Sequence, residues 1–476
     1  MDLARAIDDR SPRGIAAAIA HLVSAGDLRA GDRLPSVREL GAALGVSPAT
    51  VSGAYRALRA VGVVGSRGRA GTTVSFPVQH ALTPGYRALS ASTTARDVRD
   101  GVALAARTTT PVRFDLSRGT PDAGLLPSLG EVLAAVAHEH HRAAAPAYAE
   151  ATVVPGLERV LRETWPVAVE RLTVVDGALD AVVRTLEQVV AFGDRVAVEE
   201  PGFPPLFDAL DRLGAIRVPL AMDRHGVTPA SLASALEAGA AVVLLQPRAQ
   251  NPTGASLTAT RARELAALVR RHSQSDVARG QGKVRAASVR PGRRLLVIED
   301  DHSGLVAHAR DVTLAAWIPD RVVHVRSYSK SHGPELRIAA VGGPAREIDA
   351  LVARRMVGPG WTSRILQTTL ARLLTDPRAV AQVERARRTY RARMLGLVTA
   401  LSDLGVEAHP GDGLNLWLPV ADERVALERL AAAGVRAVGG SAFHREMVPR
   451  TAHLRLTVAG VTDPAATAEV LAVAAG

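Results

Sequence analysis

The sequence predicts two domains of different fold in one chain: a small, mostly helical helix-turn-helix with a β wing, then a large α/β domain on a mainly parallel sheet. Three observations predict this. Two capped helical segments meet at a glycine turn within residues 36–60. From Phe114 onward, short apolar runs alternate with amphipathic stretches. Between them, residues 78–112 lose clear periodicity. The expected boundaries are 1–77, 78–112 and 113–476 in a chain of 476 residues, a length that suits two or three domains.

The first helix of the turn starts at Ser36, which forms an S-x-x-E capping box with Glu39, and stops at Gly45. Ser47 caps the next helix, with Pro48 at a first-turn position that tolerates proline. Val51, Ala54, Tyr55 and Leu58 follow as one apolar stripe. That leaves Ala49, Thr50, Ser52 and Gly53 near the N-terminus of a helix suited to a major groove. Two β-like runs then flank a tip with Arg67, Gly68, Arg69 and Gly71, basic charge suited to a minor groove or a phosphate backbone. The capped helices, the apolar stripe and the basic tip all point to double-stranded DNA as the partner.

The segment 78–112 is rich in Ala, Ser and Thr, with Pro84 and Gly85 as breakers, and reads as a linker. Its length lets a DNA-reading domain sit over a partner subunit. In the large domain, short apolar runs end at polar or glycine-rich loops, a pattern of parallel strands separated by helices. Ligands bind at strand ends in such sheets. The loops there hold Asp176-Gly177-Ala178, Glu200 to Phe203, Asn251 to Gly254, Asp300 to His302, and Ser327 to Lys330.

Composition narrows the chemistry. The absence of cysteine excludes disulfide scaffolds, zinc–cysteine sites and thiol catalysis, and no metal site is expected. No apolar run reaches membrane-spanning length, and Asp8, Asp9 and Arg10 do not make a signal peptide. A cytoplasmic home fits. The net charge of +11 permits nucleic-acid binding without demanding it. Of the 58 basic residues only Lys283 and Lys330 are lysine, leaving 56 arginines. Guanidinium serves for charge and phosphate contacts, but it cannot lose a proton and attack a carbonyl. Lys283 lies in a polar loop, whereas Lys330 follows a strand among serines.

A lysine of lowered pKa forms a Schiff base with an aldehyde cofactor. Pyridoxal 5'-phosphate also needs an acid for its ring nitrogen, a stacking face and anion donors. Asp300 ends an apolar strand and could meet the ring nitrogen. Phe203 could stack, and Asn251 could hold the ring hydroxyl. The backbone of Gly177 and Ala178 opens a helix whose N–H groups suit phosphate. Ser327, Ser329 and Arg337 could complete the cup. Singly, each has a structural explanation as cap, core or turn.

Residues 31–74, in GDRLPSVREL, LGVSPATVSGAYRAL and RGRAGTTV, closely resemble the winged helix of GntR-type transcription regulators. The resemblance implies DNA contacts by Arg38, Ser47, Thr50, Ser52, Arg67 and Arg69. Pro48 replaces an arginine frequent in the family and removes one phosphate contact. Residues 113–476 resemble fold-type I aminotransferases in LSRGTPDAGLLP, DGALDAV, GDRVAVEEPGFPPL, QNPTGASLT, VIEDDHSG, SYSKSHGPELRIA and HLRLTVAG. This implies a pyridoxal-phosphate transferase fold with a smaller C-terminal α/β subdomain. It also implies a Schiff base on Lys330, Asp300 at the ring nitrogen, Arg455 on an amino-acid carboxylate, and Tyr148 reaching the phosphate of the partner's site. The fusion resembles the MocR subfamily, which implies a homodimer whose DNA domains cross over to the partner's body.

Three departures stand out. His302 replaces a tyrosine that relatives place at the ring hydroxyl. Asp176 brings negative charge to a phosphate loop where relatives have Ser or Thr. Phe203 keeps the stacking and loses a hydroxyl. Three readings remain open at this point. The first is a regulator sensing pyridoxal phosphate or an amino compound that reacts with it. The second is an aminotransferase with a regulatory DNA-binding domain. The third is a cofactor-free DNA-binding dimer.

Overall fold

The structure, a computed structural model, describes residues 3–25, 27–29, 31–60, 63–66, 71–74, 83, 86, 89, 111–142, 151–280, 294–445 and 451–476. The N-terminal domain packs helices α1 (Pro12–Ala25), α2 (Val37–Leu44) and α3 (Pro48–Ala60) beside a hairpin of β1 (Val64–Ser66) and β2 (Thr72–Val74). The capping box is present: Glu39 N–H donates to Ser36 Oγ at 3.2 Å and Ser36 N–H to Glu39 Oε2 at 2.7 Å. Gly45 ends α2 in the left-handed region at φ 66°, where glycine has no Cβ penalty. Val51, Ala54, Tyr55 and Leu58 are buried against Ile15, Ile19 and Leu22 of α1. The sequence reading had not assigned α1, although Ser11-Pro12 and the Ile15/Ile19/Leu22 spacing announce it.

The capping box carries a testable share of this domain's stability. Ser36→Ala is expected to cost about 1 kcal/mol. Amide exchange of the 37–44 peptide should then rise about fivefold, and an unchanged rate would show that the box contributes nothing.

The large domain is built on a seven-stranded sheet. Its chain order starts with a short β3 (Phe114–Asp115), then β4 (Arg171–Val175), β5 (Arg195–Glu199) and β6 (Ile216–Leu220). A small pair, β7 (Met222–Asp223) and β8 (Gly226–Val227), precedes β9 (Ala240–Leu245), β10 (Leu296–Asp301), β11 (Val322–Ser327) and β12 (Ala339–Gly343). The spatial order is β4-β12-β11-β10-β9-β5-β6, and β12 alone runs antiparallel to its neighbours. The C-terminal ends of β4, β5, β9, β10 and β11 therefore share one edge, which gathers the predicted loops.

Period-two alternation divides these strands between two cores. Val242, Leu244, Leu296 and Ile298 face one, with the helix Ala178–Val189. Val243, Leu245 and Val297 face the other, with Leu265 and Val269 of the helix Ala259–Gly280. The same alternation sends Asp300 to the side of Leu296 and Ile298, and Glu299 and Asp301 to the opposite side. There Asp301 pairs with Arg248 at 2.7 Å, Arg326 pairs with Asp311 at 2.9 Å, and Glu299 accepts from His324 Nδ1 at 2.7 Å.

The smaller subdomain holds β13 (Asn415–Val420), β14 (Val435–Arg436, paired with β3), β15 (Val438–Gly439) and β16 (Ala452–Thr457). β13, β16 and β15 form one antiparallel sheet. Leu416, Leu418, Leu454 and Leu456 fill its own core. Asn415, Arg455 and Thr457 alternate to the other face.

Candidate functional site

A cleft of about 630 Å³ lies where the strand ends of the large sheet meet the polar face of the small one. Lys330, Asn251, Phe203, Ala178, Ser327, Ser329, Arg337, His302 and Arg455, all predicted from sequence, line it. Asp300 reaches it through Gln246, whose Nε2 donates to Asp300 Oδ2 at 2.8 Å while its Oε1 accepts from Asn251 N–H at 2.8 Å. Gln246 was missed by the sequence reading, although it is the first polar residue after the apolar run of β9. Asp300 Oδ1 and Asn251 Oδ1 are both buried without a partner. Burial, opposed by His302 and Gln246, pushes the Asp300 carboxyl up.

Lys330 lies half-buried after β11. Burial, then the charges of Arg455 and Arg337, lower its amine to about 8. Its Nζ donates to the Gly119 carbonyl at 2.7 Å. Arg455 is only 3% exposed, and among the described residues no carboxylate lies within salt-bridge distance of it. It donates to the Ser117 carbonyl, and its Nε is buried without a partner. Burial lowers its pKa to about 10, which still leaves it charged at neutral pH. Gly119, at φ 62°, allows this approach, since a Cβ there would lie 2.7 Å from an Arg455 nitrogen. Thr457 Oγ1 holds the same strap by accepting from Gly119 N–H at 2.8 Å.

The end of the cleft where phosphate was expected is built on the helix Ala178–Val189, entered through Gly177 at φ 109°. Arg337 lies so close that a Cβ on Gly177 would meet its Nη2 at 2.6 Å, and it donates to the Asp176 carbonyl at 3.0 Å. The Asp176 carboxylate turns elsewhere, to Thr362 Oγ1 at 2.7 Å and Arg355 at 3.1 Å. The negative charge expected in the phosphate loop is thus neutralised away from the cleft. Arg337 and Ala249 are non-glycine residues with left-handed φ, 49° and 48°. Such conformations cost about 1–3 kcal/mol each and cluster at functional sites. His302 Nε2 bonds the Ala249 carbonyl at 2.8 Å, and burial lowers its pKa.

In the N-terminal domain Arg38 and Ser47 are exposed, and Thr50 and Ser52 are half-buried. Ser47 Oγ accepts from Thr50 N–H at 3.2 Å, the expected cap, and lies 2.9 Å from Thr50 Oγ1. Gly53, expected toward the groove, instead abuts Pro12 of α1, 3.4 Å from where its Cβ would be. Arg67 and Arg69 of the wing tip lie outside the described residues, as does Tyr148.

Comparison with known proteins agrees with both halves. Residues 12–74 match the model for bacterial regulatory proteins of the gntR family, and residues 140–472 match that for aminotransferase class I and II. The vitamin B6 salvage pathway transcriptional repressor PtsJ of Salmonella typhimurium is 34% identical over 96% of each chain. The chain is a MocR-type member of the gntR family. A second relative of this MocR-type regulator, the HTH-type transcriptional regulator TauR of Rhodobacter capsulatus, is 28% identical over 94% of this chain and 93% of its own. Among solved structures, aspartate aminotransferase from Thermus thermophilus with maleate superposes with a TM-score of 0.66 at 22% identity. It covers 83% of this chain and 97% of its own, a likeness of fold.

Proposed function

We propose that this DNA-binding transcription regulator holds pyridoxal phosphate in the cleft and senses it, or an amino compound that reacts with it. One observation carries the reading: Asp300 and Arg455, buried groups of opposite charge, serve one cleft and each keep a buried polar atom without a partner, Oδ1 and Nε. A buried charge of this kind is costly until a ligand meets it. Asp300 Oδ1 suits a pyridinium N–H, and Arg455 suits a carboxylate, which its fork can grip with two bonds. Phe203 would stack on the ring and Asn251 would bond its hydroxyl. Arg337, Ser327, Ser329 and the backbone at Ala178 would take the phosphate. The cofactor's aldehyde supplies the electrophile for an amine. Lys330 supplies that amine, with its proton lost far more readily than from free lysine.

The name of the 34% identical relative, a vitamin B6 salvage repressor, supports pyridoxal phosphate as part of the signal. Arg38, Ser47, Thr50 and Ser52, with the wing arginines Arg67 and Arg69, would face DNA. A homodimer would then read two half-sites, with Tyr148 serving the partner's cofactor. Among the described residues no helix is long and apolar enough to cross a membrane.

Titration of the protein with pyridoxal phosphate should raise a visible absorption band that Lys330→Ala abolishes. The rate of its appearance should climb with pH through about 8 as the Lys330 amine loses its proton, and level off above. A flat pH profile would mean that the amine is not rate-determining, and no band in the wild type would sink the cofactor reading. A band shifted by amino acids to a stable new form marks a sensor. Recovery that needs a keto acid marks the second reading, an aminotransferase, which the buried Arg455 beside a reactive lysine also supports.

A further inference from the structure

We propose that Tyr86 is a wall of the cofactor cleft, so that a residue lying in sequence between the DNA-reading domain and the body is part of the ligand site. This rests on the cofactor reading above. Tyr86 stands in sequence between β2, which ends at Val74, and β3, which begins at Phe114, yet both it and Leu89 line the same cleft as Lys330 and Arg337. Its ring meets that of Phe203, the stacking residue, edge-on at 6.4 Å and 86°. Perpendicular aromatic rings form two sides of a box for a flat ligand. The Arg337 guanidinium is near enough to offset part of the burial that raises the phenol.

The volume decides between a wall and a plug. With Tyr86 in place the cleft keeps about 630 Å³, within the usual range of small-molecule sites. Tyr86 is also still 37% exposed, so ring surface remains for a ligand to cover. Ligand and Tyr86 therefore occupy the cleft together rather than in competition. Coupling of this kind is reciprocal. A ligand that favours the docked position of Tyr86 is in turn held more tightly by it, by the same factor.

The test uses the full-length chain and pyridoxal phosphate itself, with Tyr86→Ala and Tyr86→Phe. Affinity is read from the visible band, and docking from tryptic cleavage after Arg87, the next residue. In the wild type, pyridoxal phosphate should slow that cleavage. Tyr86→Ala should weaken binding about tenfold, as expected for an aromatic wall, and lose the protection. Tyr86→Phe should stay within about twofold of wild type, because the ring face does the work. A normal band in Tyr86→Ala with wild-type affinity, or cleavage indifferent to the ligand, overturns the proposal and leaves the cofactor reading standing. Absence of the band from the wild type as well overturns both.

Discussion

Asp300→Asn should make the ligand-free protein more stable while lowering its affinity for pyridoxal phosphate by about two to three orders of magnitude. The second effect follows from breaking a buried charge pair, which costs roughly 3–5 kcal/mol at about 1.4 kcal/mol per decade. The first follows from linkage. Burial raises the Asp300 carboxyl above its ordinary 3.8 in the folded state. The folded protein therefore binds more protons than the unfolded chain, and stability falls as pH rises from 3.8 toward the folded value. Asparagine keeps the shape and the acceptor for Gln246, and removes the charge. Melting curves at neutral pH with and without pyridoxal phosphate should cross over between wild type and variant. A ligand-free variant that melts below wild type would assign Asp300 a structural role instead.

Arg455→Met should abolish the response to amino acids and leave the response to pyridoxal phosphate alone within a few-fold of wild type. Truncating one partner of a buried charge pair costs about 2–5 kcal/mol, or roughly one and a half to three and a half decades of affinity. Methionine keeps the length of the side chain and its contact with Phe443, over whose ring the guanidinium lies at 5.6 Å. The measurement is the spectral shift of the loaded protein across a panel of amino acids. Equal loss of both ligands would show that Arg455 holds the cleft together, and an intact amino-acid response would remove it from the site.

The sequence made much of this arrangement legible because its signals were local. The caps at Ser36 and Ser47 and the stripe from Val51 to Leu58 sit within a few residues of one another. The strand ends could be found because each apolar run stops at a polar loop, and a parallel sheet must place those loops on one edge. Side-chain partners far away in the chain were not legible. Nothing near Asp176 announces Arg355, a partner 179 residues away that draws its charge from the loop expected to take phosphate. Gln246, Gly119 and Tyr86 escaped for the same reason, since each matters through what it touches across the fold. His302 was expected at the ring hydroxyl, and its bond to the Ala249 carbonyl could be seen only once the QNPTG loop had been folded over it.

The strap at Ser117–Gly119 sets an order on biosynthesis. Its partners Arg455 and Thr457 lie 338 residues later, near the C-terminus. Contacts of such separation are slow to form, whereas the three helices and hairpin of the first 74 residues pack mostly on one another, with Phe192 and Asp194 of the large domain joining them later. During translation most of the DNA-reading domain's own contacts can thus form long before the ligand site can close. A chain stopped or clipped before β16 would keep most of the reader's own contacts and lack Arg455, the residue proposed to take a carboxylate. On the proposed function such a fragment would bind DNA without answering to amino acids, which makes the integrity of the last twenty-odd residues a matter of regulation as well as of folding.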